Sequence, residues 1–211
     1  MATRNKIYTI VEGHGEANQP SAAEKPAIVV LINRLLRKLQ CQTLFVPEKI
    51  PPFRLTYSQF FHGEKFENAI RFHLKYPDCA ALLVLLDMDD DCPKAKAFNL
   101  IARIRSVGTL PFSVAVVCAK REYEAWFLAS LESIHPEHRY PNEPEALRDA
   151  KGWLKKQFGY RQIRNQSAYT AKLDIELAQT RSRSFRRLCH AIEEIVMSAE
   201  YGQCIVTPTF E

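Results

Sequence analysis

Apolar positions along the chain fall into two rhythms. Lys6-Ile7-Tyr8-Thr9-Ile10-Val11, Leu82-Leu83-Val84-Leu85-Leu86 and Phe112-Ser113-Val114-Ala115-Val116-Val117-Cys118 are short, nearly unbroken apolar runs rich in β-branched and aromatic residues. Such runs predict strands buried on both faces. Between them apolar residues recur at helical spacing. Ile28 to about Leu39 follows a capping-box pattern, Ser21-Ala22-Ala23-Glu24. Phe66, Ala69, Ile70, His73 and Leu74 predict a helix over about 64–76, and Ala97, Phe98, Ile101, Ala102 and Ile104 predict one over about 94–107. Thr43-Leu44-Phe45-Val46 reads as a short second strand, and residues 47–61, with Pro47, Pro51 and Pro52, as an irregular loop. This alternation predicts an α/β fold with a mostly parallel sheet and helices on both faces.

The rhythm changes after about residue 130. Residues 130–143 read as loop, and Glu145 to Phe158 as a helix. Tyr160 to Thr170 reads as a polar, basic link and Ala171 to Ala178 as a short helix. A last helix opens at Arg181-Ser182-Arg183-Ser184-Phe185-Arg186-Arg187 and packs through Leu188, Ile192, Ile195 and Val196. Residues 1–130 are therefore expected to form the α/β core, and residues 131–211 a helical extension packed on it as one structural unit.

Composition narrows the class. No apolar run approaches membrane-spanning length, and the N-terminus lacks a signal-peptide pattern. Six scattered cysteines without a CxxC pair argue against a zinc site and a disulfide framework, and for reduced thiols in a cytoplasmic protein. His135 and His138 lack a third ligand nearby and read as surface. The net charge of +5 is uneven: residues 151–211 carry ten Lys/Arg against six Asp/Glu, while the densest acidic run lies mid-chain. A basic flank beside an acidic centre suits a polyanionic substrate, and the interleaved Arg181, Arg183, Arg186 and Arg187 suit phosphate contacts.

The chemistry gathers where strands end. The central strand runs into Asp87-Met88-Asp89-Asp90-Asp91. Residues two apart in a strand point to one side, so Asp87 and Asp89 are expected to project together from its carboxyl end. Asp91 with Pro93 reads instead as a helix start. The first strand runs into Glu12-Gly13-His14-Gly15-Glu16, and the last into Lys120-Arg121-Glu122-Tyr123-Glu124. Carboxylates this dense repel one another unless a cation sits among them, and hard cations such as Mg2+ or Mn2+ take oxygen ligands of this kind. The chain has no Walker-A sequence, and its first glycine loop lacks dinucleotide-binding spacing. Metal would bind first and phosphate through it, with two ions activating water and steadying the leaving oxygen of a phosphodiester.

Glu12 after the first strand and Asp87-Met88-Asp89 after a later one resemble the Toprim domain of topoisomerases, primases and overcoming-lysogenization-defect nucleases. Val11-Glu12-Gly13-His14-Gly15-Glu16, then Asp87-Met88-Asp89, then Arg121-Glu122-Tyr123-Glu124-Ala125-Trp126-Phe127-Leu128-Ala129, and finally Ser184-Phe185 together resemble a family of small Toprim-like bacterial proteins. The resemblance implies a Toprim/Rossmann-like fold and a metal-dependent nuclease. Its expected ligands are Glu12, Glu16, Asp87, Asp89 and Glu122 or Glu124, with Lys120, Arg121 and Lys172 as candidates for steadying transition-state charge and Arg121 also as a nucleic-acid contact. It also implies an ABC/SMC-type ATPase partner and a role in anti-phage defence. The alternative expectation is a non-catalytic Toprim-fold subunit that docks on such an ATPase; a third is phosphotransfer on a small phosphate ester. A homo-oligomer is compatible with either of the first two.

Overall fold

The computed structural model describes residues 3–13 and 25–209. Glu16 and the capping pattern Ser21–Glu24 lie outside the described residues. Five parallel strands form one sheet in the order β2-β1-β3-β4-β5. They are β1 Lys6–Val11, β2 Phe53–Arg54, β3 Cys79–Asp87, β4 Ser113–Ala119 and β5 Val206–Thr207.

The two central strands behave as their apolar runs require. Alternate residues of β3 feed opposite faces: Ala81, Leu83 and Leu85 join one core, and Leu82, Val84 and Leu86 the other. The first core is closed by α1 (Ala27–Lys38) and by the long C-terminal helix, Arg183–Glu200. The second is closed by α2 (Tyr57–Phe61), α3 (Lys65–His73) and α4 (Pro93–Ser106). α1 carries seven buried apolar side chains on one stripe and ends in Arg37 and Lys38, which suit the negative end of the helix dipole. Pro93 occupies the first turn of α4, where a missing N–H costs nothing.

The second strand is displaced from where its apolar run suggested. Phe45 makes only an isolated bridge to Lys6, and the ladder resumes at Phe53–Arg54 beside Ile10 and Val11. Pro47, Pro51 and Pro52 lie in between; proline donates no ladder bond, so the chain leaves the edge and returns. The loop expected over 47–61 thus contains both β2 and α2.

Beyond β4 the chain continues as α5 (Ala125–Ala129), α6 (Leu131–Ile134), a 3-10 turn (Pro144–Ala146), α7 (Ala150–Phe158), α8 (Gln162–Lys172), α9 (Ile175–Arg181) and α10 (Arg183–Glu200). The link expected at 160–170 is largely helix α8, with Gln166, Tyr169 and Thr170 buried. Its inward positions are polar or aromatic, which is why its helical period is weak in the sequence. The C-terminal segment also supplies sheet: Val206 and Thr207 pair with Val114 and Ala115 of β4.

The string after β4, Arg121 to Ala129, is the joint between the two halves. Trp126 Nε1 donates to Ser184 Oγ at 2.8 Å, and the Trp126 and Phe185 rings meet edge-on at 5.3 Å. Ser184 Oγ and N and Ser182 Oγ all donate to Glu145 Oε1, at 2.5, 2.8 and 2.6 Å. Glu145 thereby caps the start of α10 with a buried carboxylate, which suits the positive end of the helix.

Candidate metal centre at the carboxyl edge of the sheet

The strand order reverses between β1 and β3: the chain leaves β1 towards β2 on one side and later returns to place β3 on the other. At such a switch point the loops diverge to opposite faces and open a crevice outside the carboxyl ends, where open α/β sheets bind ligands. Glu12 directly follows β1, and Asp87 ends β3.

They are directly hydrogen-bonded, one position out of register. Glu12 N–H extends the ladder by donating to the Leu85 carbonyl at 3.2 Å. Glu12 Oε2 then accepts from the backbone N–H of Asp87 at 3.2 Å. Asp87 Oδ1 in turn accepts from the backbone N–H of Tyr123, just past β4, at 3.0 Å. Three strand exits are stitched together through two carboxylates, both half-buried. Backbone amides thus help to orient two hard oxygen donors at this edge, as a hard-cation site needs.

Asp89 is placed differently from the expectation. β3 stops at Asp87, Met88 is fully buried in the second core, and Asp89 turns into the left-handed region at φ +42° with its side chain exposed. The strand alternation that would align Asp87 with Asp89 therefore does not reach Asp89. The turn is braced from β4's exit: Met88 N–H and Asp89 N–H both donate to the Arg121 carbonyl, at 3.1 and 2.9 Å, and Arg121 Nη1 donates back to the Asp89 carbonyl at 2.9 Å. Arg121 is itself left-handed, at φ +69°. Asp90 pairs with the Arg121 guanidinium and, at 3.1 Å, with Arg148 Nε. Asp91 accepts from the Tyr57 hydroxyl and pairs with Lys96 at 3.1 Å, tying the turn to α2 and α4. The residue that caps α4 is Cys92 rather than Asp91.

The other expected carboxylates are engaged elsewhere. Glu122 turns both oxygens to the start of α7: Oε1 accepts from Lys151 N–H at 3.1 Å and Oε2 pairs with Lys151 Nζ at 3.7 Å. Burial pushes its carboxyl above the usual range, against the lowering effect of those Lys151 contacts. Glu124 is wholly buried and its Oε1 accepts from the Tyr160 hydroxyl at 2.9 Å. Among the described residues no three His, Cys, Asp or Glu side chains stand together as a ready metal cage.

The expected cations also divide. Lys120 is half-buried at the end of β4, and Lys172 is exposed at the end of α8. Arg181 is tied to Glu132 at 2.7 Å, Arg186 to the Gln179 and Thr180 carbonyls at 3.0 and 3.1 Å, and Arg187 to Glu194 and Thr207 at 3.0 and 2.5 Å. Arg181 and Arg186 brace helix ends and Arg187 ties α10 to β5, whereas Arg183 is exposed. His135 is not a plain surface residue: it stacks on Phe158 at 3.9 Å and meets the Tyr169 hydroxyl at 2.6 Å.

Residues that the sequence reading did not single out include Arg148, Tyr57, Lys96 and Glu145. The acidic run was the signal for the first three: Asp90 pairs with Arg148, and Asp91 with Tyr57 and Lys96.

A family model described as a domain of unknown function (DUF4276) matches residues 11–193, and the chain belongs to that family. No curated protein and no solved structure matches the chain.

Proposed function

We propose that this DUF4276 member is a metal-dependent nuclease that hydrolyses phosphodiester bonds of nucleic acid. One observation carries the reading: Glu12 and Asp87 flank the switch point of the sheet and are bridged by the Asp87 amide at 3.2 Å. Their chemistry fits Mg2+ or Mn2+, since both are hard oxygen donors and each accepts from a backbone amide at the same sheet edge. Glu12 and Asp87 would hold the ion, and Glu16, four residues after Glu12 in the sequence, is a further candidate ligand. The metal, when bound, supplies Lewis-acid polarisation and a water of lowered pKa.

The chain's own residues do the rest. Backbone amides of Asp87 and Tyr123 fix the two carboxylates, so that they do not have to be ordered when substrate arrives. Lys120 is near enough in sequence to the same edge to steady a developing anion. No helix among the described residues is long and apolar enough to cross a membrane. An ABC/SMC-type ATPase partner, and with it a role in anti-phage defence in the cytoplasm, belong to the same proposal, since the chain has no phosphate-cradling loop of its own.

The test is a Mg2+ and Mn2+ titration with end-labelled DNA and RNA, comparing the native chain with Asp87→Asn. Metal-dependent cleavage that the substitution removes is the expected result. Metal binding with no turnover, with an ATPase partner added, would make the chain a docking subunit. Turnover of mononucleotide esters alone would make it a small-ester phosphotransferase.

A further inference from the structure

Asp90 makes an arrangement that the metal reading does not use. Two guanidinium groups from distant parts of the chain, Arg121 past β4 and Arg148 before α7, converge on one oxygen, Asp90 Oδ1. The carboxylate they share is 61% exposed and Arg148 is 75% exposed, so this is a surface contact that a solute can reach. Exposed ion pairs of this sort hold weakly. Arg121 is different: its guanidinium is mostly enclosed, anchored on the Asp89 carbonyl, and its Nε is buried with no hydrogen-bond partner among the described residues. A guanidinium presents five donors in a fixed fork suited to tetrahedral oxyanions, and one carboxylate oxygen satisfies little of what two such groups offer.

We infer that Arg121 and Arg148 form a phosphate-binding clamp for the nucleic-acid backbone, and that Asp90 is an internal stand-in occupying the clamp until a phosphate displaces it. The assignment rests on the nucleic-acid reading above and adds to it the residues that grip the strand. Asp90 lies three residues past Asp87, so the clamp sits on the turn leading out of the candidate metal centre. A phosphate there would exchange a single-oxygen contact for bidentate ones. The guanidinium pair also explains why the acidic turn tolerates its density of charge without metal.

The experiment is done without metal, in EDTA, so that its failure and the failure of the nuclease reading are separable. Binding of a fluorescein-labelled single-stranded oligonucleotide is followed by anisotropy across a salt series, with inorganic phosphate as competitor. Removing the stand-in with Asp90→Asn tightens binding about tenfold, whereas Glu143→Gln, an equal charge change at an exposed loop position five residues before Arg148, changes it less than twofold. Arg148→Ala weakens binding at least fivefold and lowers the salt slope by about one. Arg148 is exposed, so that variant keeps the fold; urea melts check Asp90→Asn. If Asp90→Asn leaves binding unchanged or weaker, or if Glu143→Gln tightens it equally, the clamp is wrong even where metal-dependent cleavage is found. If the Asp90→Asn gain appears but no cleavage does, the clamp stands and the nuclease reading falls.

Discussion

Asp87 and Tyr123 are joined across the sheet edge: the carboxylate that ends the central strand accepts from the first amide that turns the next strand into its helix, at 3.0 Å. Tyr123 is also a core anchor, its ring packed against Trp126 and Phe127 and its hydroxyl 3.0 Å from Thr170. The candidate metal ligand is thus fixed by a segment whose side chains cannot move without disturbing the C-terminal helices.

This separates two substitutions at one position. Asp87→Asn keeps an Oδ1 acceptor for the Tyr123 amide and removes the charge, so it folds normally and lowers Mn2+ affinity by roughly 100-fold, a loss of the size expected for weakening a metal site. Asp87→Ala also strands a half-buried amide and costs about 1–2 kcal/mol in urea melts. Equal instability of the two variants would remove the argument that the amide positions the carboxylate.

The Trp126–Ser184–Glu145 chain makes a second prediction. Ser184→Ala deprives the Trp126 indole N–H of its acceptor and Glu145 of a donor, in a fully buried place, and costs about 1–3 kcal/mol. Denaturant unfolding measures it.

His73 makes stability pH-dependent. It is buried among Tyr8, Phe53, Phe72 and Tyr76, its Nδ1–H donates to the Ala69 carbonyl at 2.7 Å, and burial holds its pKa below the ordinary value near 6.5. The unfolded chain therefore takes up the proton first. Its contribution is complete above about pH 6.5 and is lost as pH falls from there towards the lower folded value. His73→Phe flattens the urea midpoint between pH 7.5 and 5.5; an unchanged slope would place the titration elsewhere.

Glu122 acts with the opposite sign. Burial raises its folded pKa, so the native state holds the proton longer and this residue opposes folding increasingly as pH rises through the carboxylate range. Glu122→Gln keeps an acceptor for Lys151 N–H and removes that cost, so the variant is at least as stable as the native chain at pH 7.5. It also leaves Mn2+ binding within about twofold, because both Glu122 oxygens face Lys151. A large loss of metal affinity would return Glu122 to the ligand set.

Much of the architecture is legible in one dimension. The strands Lys6–Val11, Cys79–Asp87 and Ser113–Ala119 are long apolar runs because they are buried on both faces, and such runs need no tertiary information to be seen. The edge strands Phe53–Arg54 and Val206–Thr207 are two residues each, too short to carry a period, and exist only because a neighbour offers unpaired ladder groups. Helix α8 hides for a related reason: its inward side chains are Gln166, Tyr169 and Thr170.

The candidate site divides in the same way. The local chemistry alone determined that carboxylates end the first and central strands, and parallel alternation brought those ends to one edge, because a buried parallel strand can expose polar groups only where it stops. Which carboxylates meet was decided by the tertiary structure. Strand order made Glu12 and Asp87 neighbours, while a left-handed turn at Asp89 and the approach of Lys151 and Tyr160 drew the others away. Spacing along a chain reports which face of an element a residue occupies; only packing decides what stands opposite it.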